Sequence, residues 1–379
     1  MIKLVLSLFA ALGLVISYYT FEHKTYNEKV IKLGLSLPKS GIMRAWGQGV
    51  YAGANAYFTY ANENHLLDKK IKLIIYDDKY EPELTLDNTK KLIKENVFSF
   101  FGYVGTPTTK KILPLLQESN IPLIAPFTGA SFLRKNTNII NFRSSYKEEI
   151  ETIVDYLYRT KGIIKFAVFY QNDDYGEEGY IALLEALKKR KLTLYGEGTY
   201  KRNTLSIKHA FHEIKNADPD AILMIGAYQA NALFINRARK NNDFTNTVFC
   251  NISFSNADEI IKELDHHTEN LLFSQVVPNY QDSQKPVVLE YKKIMRQYAP
   301  NQPLGFISLE SFLAAKTVVA ALQRIKGSTT QENFIKTLTT LPHNTLHGLK
   351  LQFKNRQLHN HIYLFTYKNN AFEEINYEY

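Results

Sequence analysis

The stretch Val97-Phe98-Ser99-Phe100-Phe101-Gly102-Tyr103-Val104-Gly105-Thr106-Pro107-Thr108 decides how this chain is read. Val97–Gly102 is a short apolar run, as expected of a strand buried on both faces. Gly105 allows close backbone approach, Thr106 fits an N-cap, and Pro107 fits the first helical position. A helix over Thr108–Glu118 follows, then a second strand, Ile121–Ala125. That strand runs into Pro126-Phe127-Thr128-Gly129-Ala130-Ser131, again a turn with hydroxyls and a glycine. Strand, polar turn, helix and strand in this order make a parallel βαβ unit.

The same alternation extends in both directions. Val30–Leu37 and Ile71–Asp77 read as strands, with a helix over Trp46–Ala61 between them and another opening at Glu81-Pro82. Beyond Ser131 a second series begins. Ile150, Ile153, Val154, Leu157 and Tyr158 mark one helical face. Strands are expected at Lys165–Tyr170, Thr193–Tyr200, Ala221–Ile225, Thr247–Asn251 and Leu271–Gln275. Helices are expected at Tyr175–Lys188, Ser206–Ala217, Tyr228–Lys240, Lys285–Tyr298, Ser308–Lys326 and Gln331–Leu341. Ile207, Ala210, Phe211 and Ile214 form the stripe of the Ser206 helix. The tail from Leu349 to Tyr379 alternates, with turns at Asn355 and Asn369-Asn370, and reads as short antiparallel strands. The fold class is α/β, with two doubly wound lobes, each built on a parallel sheet. A chain of 379 residues exceeds what one core usually serves.

Open parallel sheets bind ligands beyond the carboxyl ends of their strands. Gly105, Thr106, Phe127, Thr128 and Gly129 sit at such ends in the first series. A helix start there would present free amide hydrogens to an anion. In the second series the corresponding stretches are Tyr170-Gln171-Asn172-Asp173-Asp174-Tyr175-Gly176, Gly226-Ala227-Tyr228 and Asn251-Ile252-Ser253-Phe254. No nucleophile elbow, P-loop or zinc-protease motif is present, so an enzyme and a cofactor are not expected. His359 and His361 alternate in the tail and share a face, but no third metal ligand is marked. His266-His267 reads as a surface feature near a helix end. Cys250, the single cysteine, falls in an apolar strand and reads as a buried thiol.

The net charge is +9, yet the lysines are scattered and no basic stripe marks one element, so nucleic acid is not expected as a partner. At the N-terminus, Lys3 precedes an apolar run from Leu4 to Ile16, followed by polar Glu22-His23-Lys24. This is the pattern of a signal peptide over residues 1–24. The cleavage site is poor, which leaves an uncleaved N-terminal anchor as the alternative. No later apolar run is expected to span a bilayer.

Taken together, these residues resemble the type I periplasmic binding proteins, in their branched-chain amino acid-binding branch. The marks are Ser40-Gly41 before Trp46-Gly47, Tyr76-Asp77-Asp78 with Glu81-Pro82, Gly102-Tyr103-Val104-Gly105-Thr106, Ile121–Pro126, Phe142-Arg143, Asp174-Tyr175-Gly176, and Gly226–Tyr228 with Arg237-Ala238-Arg239. The resemblance implies two lobes joined by three crossings, a small-molecule ligand between them, and delivery to an ABC permease from the periplasm. A membrane sensor, such as a kinase or cyclase, is the alternative partner. It places lobe 1 at 30–144 plus 275–341 and lobe 2 at 145–274 plus 342–379. It also implies ligand contacts at Trp46, Gly105, Thr106, Phe127, Thr128, Gly129, Tyr175, Tyr228, Ser253 and Phe306. One departure matters: amino-acid binders of the branch carry an acid at the position of the Asn251–Phe254 loop, and here there is none. Either Asp173 or Asp174 substitutes, or the ligand is not an α-amino acid. The family's disulfide is missing too, so the loop near Gly105 is expected to be held by packing alone.

Overall fold

The computed structural model describes residues 29–264, 268–282 and 284–377. The signal-like segment and His266-His267 lie outside the described residues.

The first sheet holds β1 (Val30–Leu37), β2 (Lys70–Asp77), β3 (Ser99–Phe101), β4 (Leu123–Ile124) and β5 (Ile139–Ile140). All five are parallel, in the order β2-β1-β3-β4-β5. Four helices connect them: α1 (Arg44–Glu63), α2 (Pro82–Lys94), α3 (Thr106–Lys111) and α4 (Leu113–Ser119). The chain then builds α5 (Tyr146–Lys161), β6 (Phe166–Gln171), α6 (Asp174–Lys189), β7 (Leu194–Tyr200), α7 (Lys208–Ala217), β8 (Ala221–Ile225), α8 (Tyr228–Lys240), β9 (Val248–Asn251), α9 (Ala257–Glu263) and β10 (Leu271–Gln275). It ends with α10 (Pro286–Tyr298), α11 (Phe306–Arg324), α12 (Gln331–Thr339), β11 (Tyr363–Lys368) and β12 (Ala371–Ile375).

The second sheet runs β12-β11-β10-β9-β8-β6-β7. Its strands β7-β6-β8-β9-β10 are parallel and repeat the winding order of the first sheet. The hairpin β11–β12 adds antiparallel strands at the β10 edge. Asn369 and Asn370 make its turn with φ of 49° and 59°. Two successive left-handed residues give the twist a tight hairpin needs, and asparagine tolerates that conformation.

The chain passes between the two units three times: after β5, after β10 and before β11. Helices α10 and α11 return to pack along α1. Gly53 makes this contact close, because a Cβ there would fall 2.0 Å from the Ser308 carbonyl oxygen. By length and composition α11 could cross a membrane, contrary to the sequence expectation, but it is almost wholly buried and forms the centre of its lobe.

Two local expectations change. The helix expected over 108–118 is broken at Ile112 into α3 and α4. Pro114 in the first turn of α4 lacks an amide hydrogen, and its ring excludes a continuous helix through the carbonyl four residues earlier. His359 and His361 lie just before β11 rather than in a strand.

Candidate functional site

The winding reverses between β1 and β3 in one sheet and between β6 and β8 in the other. The segments after these strands meet across the gap between the two units. Trp46 stands in the first turn of α1, after β1, and is fully buried. Its indole stacks on the Phe254 ring at 4.6 Å between centroids, and its Nε1–H donates to the Phe254 carbonyl at 3.1 Å. Phe254 lies in the 3-10 turn Ser253–Ser255, after β9. Tyr175, in the first turn of α6, meets the same ring edge-on at 4.8 Å. Tyr146 and Tyr80 approach it at 6.2 and 6.4 Å, and Phe127 packs edge-on against Trp46 at 6.0 Å. Phe254 is therefore ringed by aromatics from both sheets.

A polar floor adjoins these rings. The hydroxyls of Thr106 and Thr128 are hydrogen-bonded at 2.7 Å, and both residues are buried. Tyr146 donates its backbone N–H to the Gly129 carbonyl at 2.9 Å. This sets the Tyr146 phenol within the reach of both threonines and of Gly129 N–H, yet its hydroxyl forms no well-aligned hydrogen bond with them. Burial pushes this phenol up to about 12, so it stays protonated and able to donate. The Tyr175 hydroxyl is likewise buried without a well-aligned bond, with Ser255 within its reach.

Arg143 closes the floor from the first crossing between the units. Its Nε pairs with Glu310 of α11 at 3.0 Å, and its Nη2 donates to Ser253 Oγ at 2.8 Å and to Glu310 at 3.1 Å. Its guanidinium lies 5.9 Å from the Trp46 ring centroid, and its Nη1 has no hydrogen-bond partner. Glu149 of α5 accepts from Ser253 N–H, Ser253 Oγ and Ser274 Oγ at 2.8, 2.8 and 2.6 Å.

Of the residues expected at the site, Trp46, Thr106, Phe127, Thr128, Gly129, Tyr175 and Ser253 lie together here. Thr106 reaches this place differently from expected. Gly105, at φ 100°, precedes the helix and Thr106 is its first residue, with its hydroxyl turned to Thr128 instead of capping. A Cβ at Gly105 would strike the Tyr80 ring at 2.2 Å. Packing is not all that holds this loop: Gly105 N–H donates to Phe127 O at 3.1 Å, and Phe127 N–H to Tyr103 O at 2.7 Å.

Two predicted residues contact other groups. Phe306 packs with Tyr280, Phe365 and Phe372 at 5.0–5.4 Å. Tyr228 is buried at the start of α8, in the field of Arg44, Glu259 and Glu263. Both candidate acids are committed as well. Asp173 caps α6 through Tyr175 N–H and accepts from Gln171, while Asp174 pairs with Lys110 at 2.5 Å. Among the described residues no group of three or more His, Cys, Asp or Glu side chains could hold a metal ion.

A family profile for periplasmic binding proteins matches residues 30–371. The chain belongs to this family. A solved structure of a possible leucine/isoleucine/valine-binding protein from Rhodopirellula baltica SH 1 is 33% identical, with a TM-score of 0.86 over 91% of this chain and 96% of that one. A substrate-binding periplasmic protein from Ralstonia solanacearum is 25% identical, with a TM-score of 0.84 over 91% of this chain and 100% of that one. The Leu/Ile/Val-binding protein homolog 7 of Brucella abortus (strain 2308) is 20% identical over 312 residues, 78% of each chain.

In this periplasmic binding protein the two units also touch at a rim outside the rings. Glu81 accepts from Arg202 at 2.9 Å and from Asn203 at 2.6 Å. Ser131 N–H donates to Glu178 at 2.8 Å, and Lys110–Asp174 bridges the same edge. An open cavity of about 760 Å³, lined by Pro82, Pro107, Lys110, Asp173 and Arg202 among others, marks the mouth. Sequence reading missed Phe254, Tyr80, Tyr146, Arg143, Glu149 and Glu310 as site residues. Phe254 carried the same signal as Phe127, an aromatic just past a strand end. The buried acids carried none, because their partners lie 104–167 residues away.

Proposed function

We propose that the protein is an extracytoplasmic solute-binding component that closes its lobes on a small solute with a carboxylate or amide head and hands it to an ABC importer. The lobes are taken as 30–144 plus 275–341 and 145–274 plus 342–379. The observation that carries the reading is the floor beside Trp46 and Phe254. There the Tyr146 hydroxyl, the Tyr175 hydroxyl and Arg143 Nη1 are buried without well-aligned hydrogen bonds. Unpaired buried donors cost free energy, and a carboxylate or amide oxygen would satisfy them. Thr106 and Thr128 add two hydroxyls beside them.

An α-amino acid fits less well. Its ammonium would need a buried counter-charge. Asp173 and Asp174 are engaged elsewhere, Glu310 is held by Arg143, and Glu149 accepts three hydrogen bonds. The test is thermal unfolding with short carboxylates, amides and the matching amino acids. A solute at ~100 times its Kd adds about 2.7 kcal/mol to stability. Propionate should raise the melting temperature more than alanine, and Thr106→Val with Tyr146→Phe should remove the shift. A panel that produces no shift, or alanine ahead of propionate, overturns the reading.

A further inference from the structure

Phe254 holds the centre of the cleft and is fully buried. Trp46, Tyr80, Tyr146 and Tyr175 surround it at 4.6–6.4 Å. We propose that the Phe254 ring is a built-in occupant of the cleft, which restricts this protein to solutes with a short body. This rests on the carboxylate- and amide-binding floor proposed above and goes further by setting the size of what can lie on it.

The turn carrying the ring is pinned on both sides. Before it, Ser253 N–H and Oγ donate to Glu149, and Ser253 Oγ accepts from Arg143 Nη2. After it, Ser255 Oγ donates to the Met224 carbonyl at 3.0 Å and accepts from Asn231 Nδ2 at 3.1 Å. Ser255 N–H returns to Ile252 O at 2.8 Å, and Asn256 caps α9 through Glu259 N–H. Between these anchors the Phe254 carbonyl is bonded to Trp46 Nε1 of the other lobe. The turn therefore cannot swing aside without breaking several buried hydrogen bonds at once. A ring that is part of the chain also occupies the place without the loss of translational freedom that a solute incurs. A solute with an apolar body must evict it, whereas an acetate- or propionate-sized carboxylate, or a small amide, uses the floor alone.

The experiment is calorimetric titration of the wild type, Phe254→Ala and Phe254→Leu with acetate, phenylacetate and benzene. Trimming a buried ring to alanine opens space of the kind that takes benzene in an apolar core. Phe254→Ala should bind phenylacetate about tenfold to a hundredfold tighter than the wild type, the span expected from burying one phenyl group. It should also bind benzene. Phe254→Leu should rank between the two and serves as the readout where the alanine variant does not fold. Acetate affinity should change far less. Wild type binding phenylacetate as tightly as Phe254→Ala overturns the proposal and leaves the floor standing. Phe254→Ala taking benzene, with neither acetate nor phenylacetate bound by either protein, supports the ring's place and refutes the floor instead. A variant that folds and binds neither benzene nor phenylacetate overturns the proposal.

Discussion

Arg143→Met is the sharpest test of how the centre is held together. The guanidinium is 1% exposed and its partner Glu310 is 3% exposed. Glu149 contributes a second buried carboxylate in the same field. Methionine keeps most of the volume and removes the charge, leaving both acids without a cation. Breaking a buried pair in this way costs roughly 3–5 kcal/mol. The loss should depend on pH. Burial raises Glu310 from 4.5 to about 7 even with Arg143 beside it. The folded state therefore prefers the protonated acid. Its contribution is most favourable below the unfolded value and is lost as pH rises through the folded one. Without Arg143 the folded value climbs further, so between pH 8 and 5.5 the variant should regain up to ~3.4 kcal/mol against ~2 for the wild type, and the loss should shrink by about 1–2 kcal/mol, at ~1.4 kcal/mol per pH unit. Urea unfolding at the two pH values reads this directly. Equal losses at both, or a loss below ~1 kcal/mol at pH 8, would refute the reasoning.

Two further outcomes are expected. Removing the rim contacts with Glu81→Gln and Lys110→Gln should loosen closure. Both pairs are partly solvent-exposed, so each contributes about 1 kcal/mol and is screened by salt. Emission from Trp46, the single tryptophan, should shift to the red with added salt in the wild type, and the double variant should begin shifted and respond less. A wild-type emission indifferent to salt would show that the rim does not hold the lobes. His359, stacked between Phe142 and Tyr363, is lowered to about 4, chiefly by burial. Its folded value lies below the usual 6.5, so its contribution is present above that pH and is lost as pH falls towards 4, by about 3 kcal/mol. His359→Leu should flatten this acid limb of stability, and an unchanged limb would locate the acid sensitivity elsewhere.

Much of the fold was legible because both signals it needs are local. Strands buried on both faces read as unbroken apolar runs, and β8 is buried at all its positions. Helical stripes such as Ile207, Ala210, Phe211 and Ile214 are set by a period of a few residues, and all four are buried. Strand β1, helix α8 and strand β10 match their expected limits. The break at Ile112 was also local, since Pro114 announced it, but the apolar stripe around it concealed the interruption. The site was legible only as far as strand ends can be. Thr106, Phe127, Tyr175 and Ser253 follow strands, whereas Arg143 meets Glu310 and Ser253 through the fold alone, at separations of 167 and 110 residues. Fully buried Trp46 is as much core as wall, a distinction that depends on what the other lobe brings against it.

The three passages between the units have a consequence for synthesis. Neither lobe is one continuous length of chain. The face of α1 stays uncovered until α10 and α11 have been made, and the β10 edge stays unpaired until the last residues supply β11 and β12. A growing chain therefore exposes apolar helix surface and a bare strand edge for most of its elongation, and both units lock at nearly the same moment. Truncation ahead of Tyr363, which removes both β11 and β12, would leave the β10 edge bare, and the damage should appear as aggregation before it appears as weaker binding.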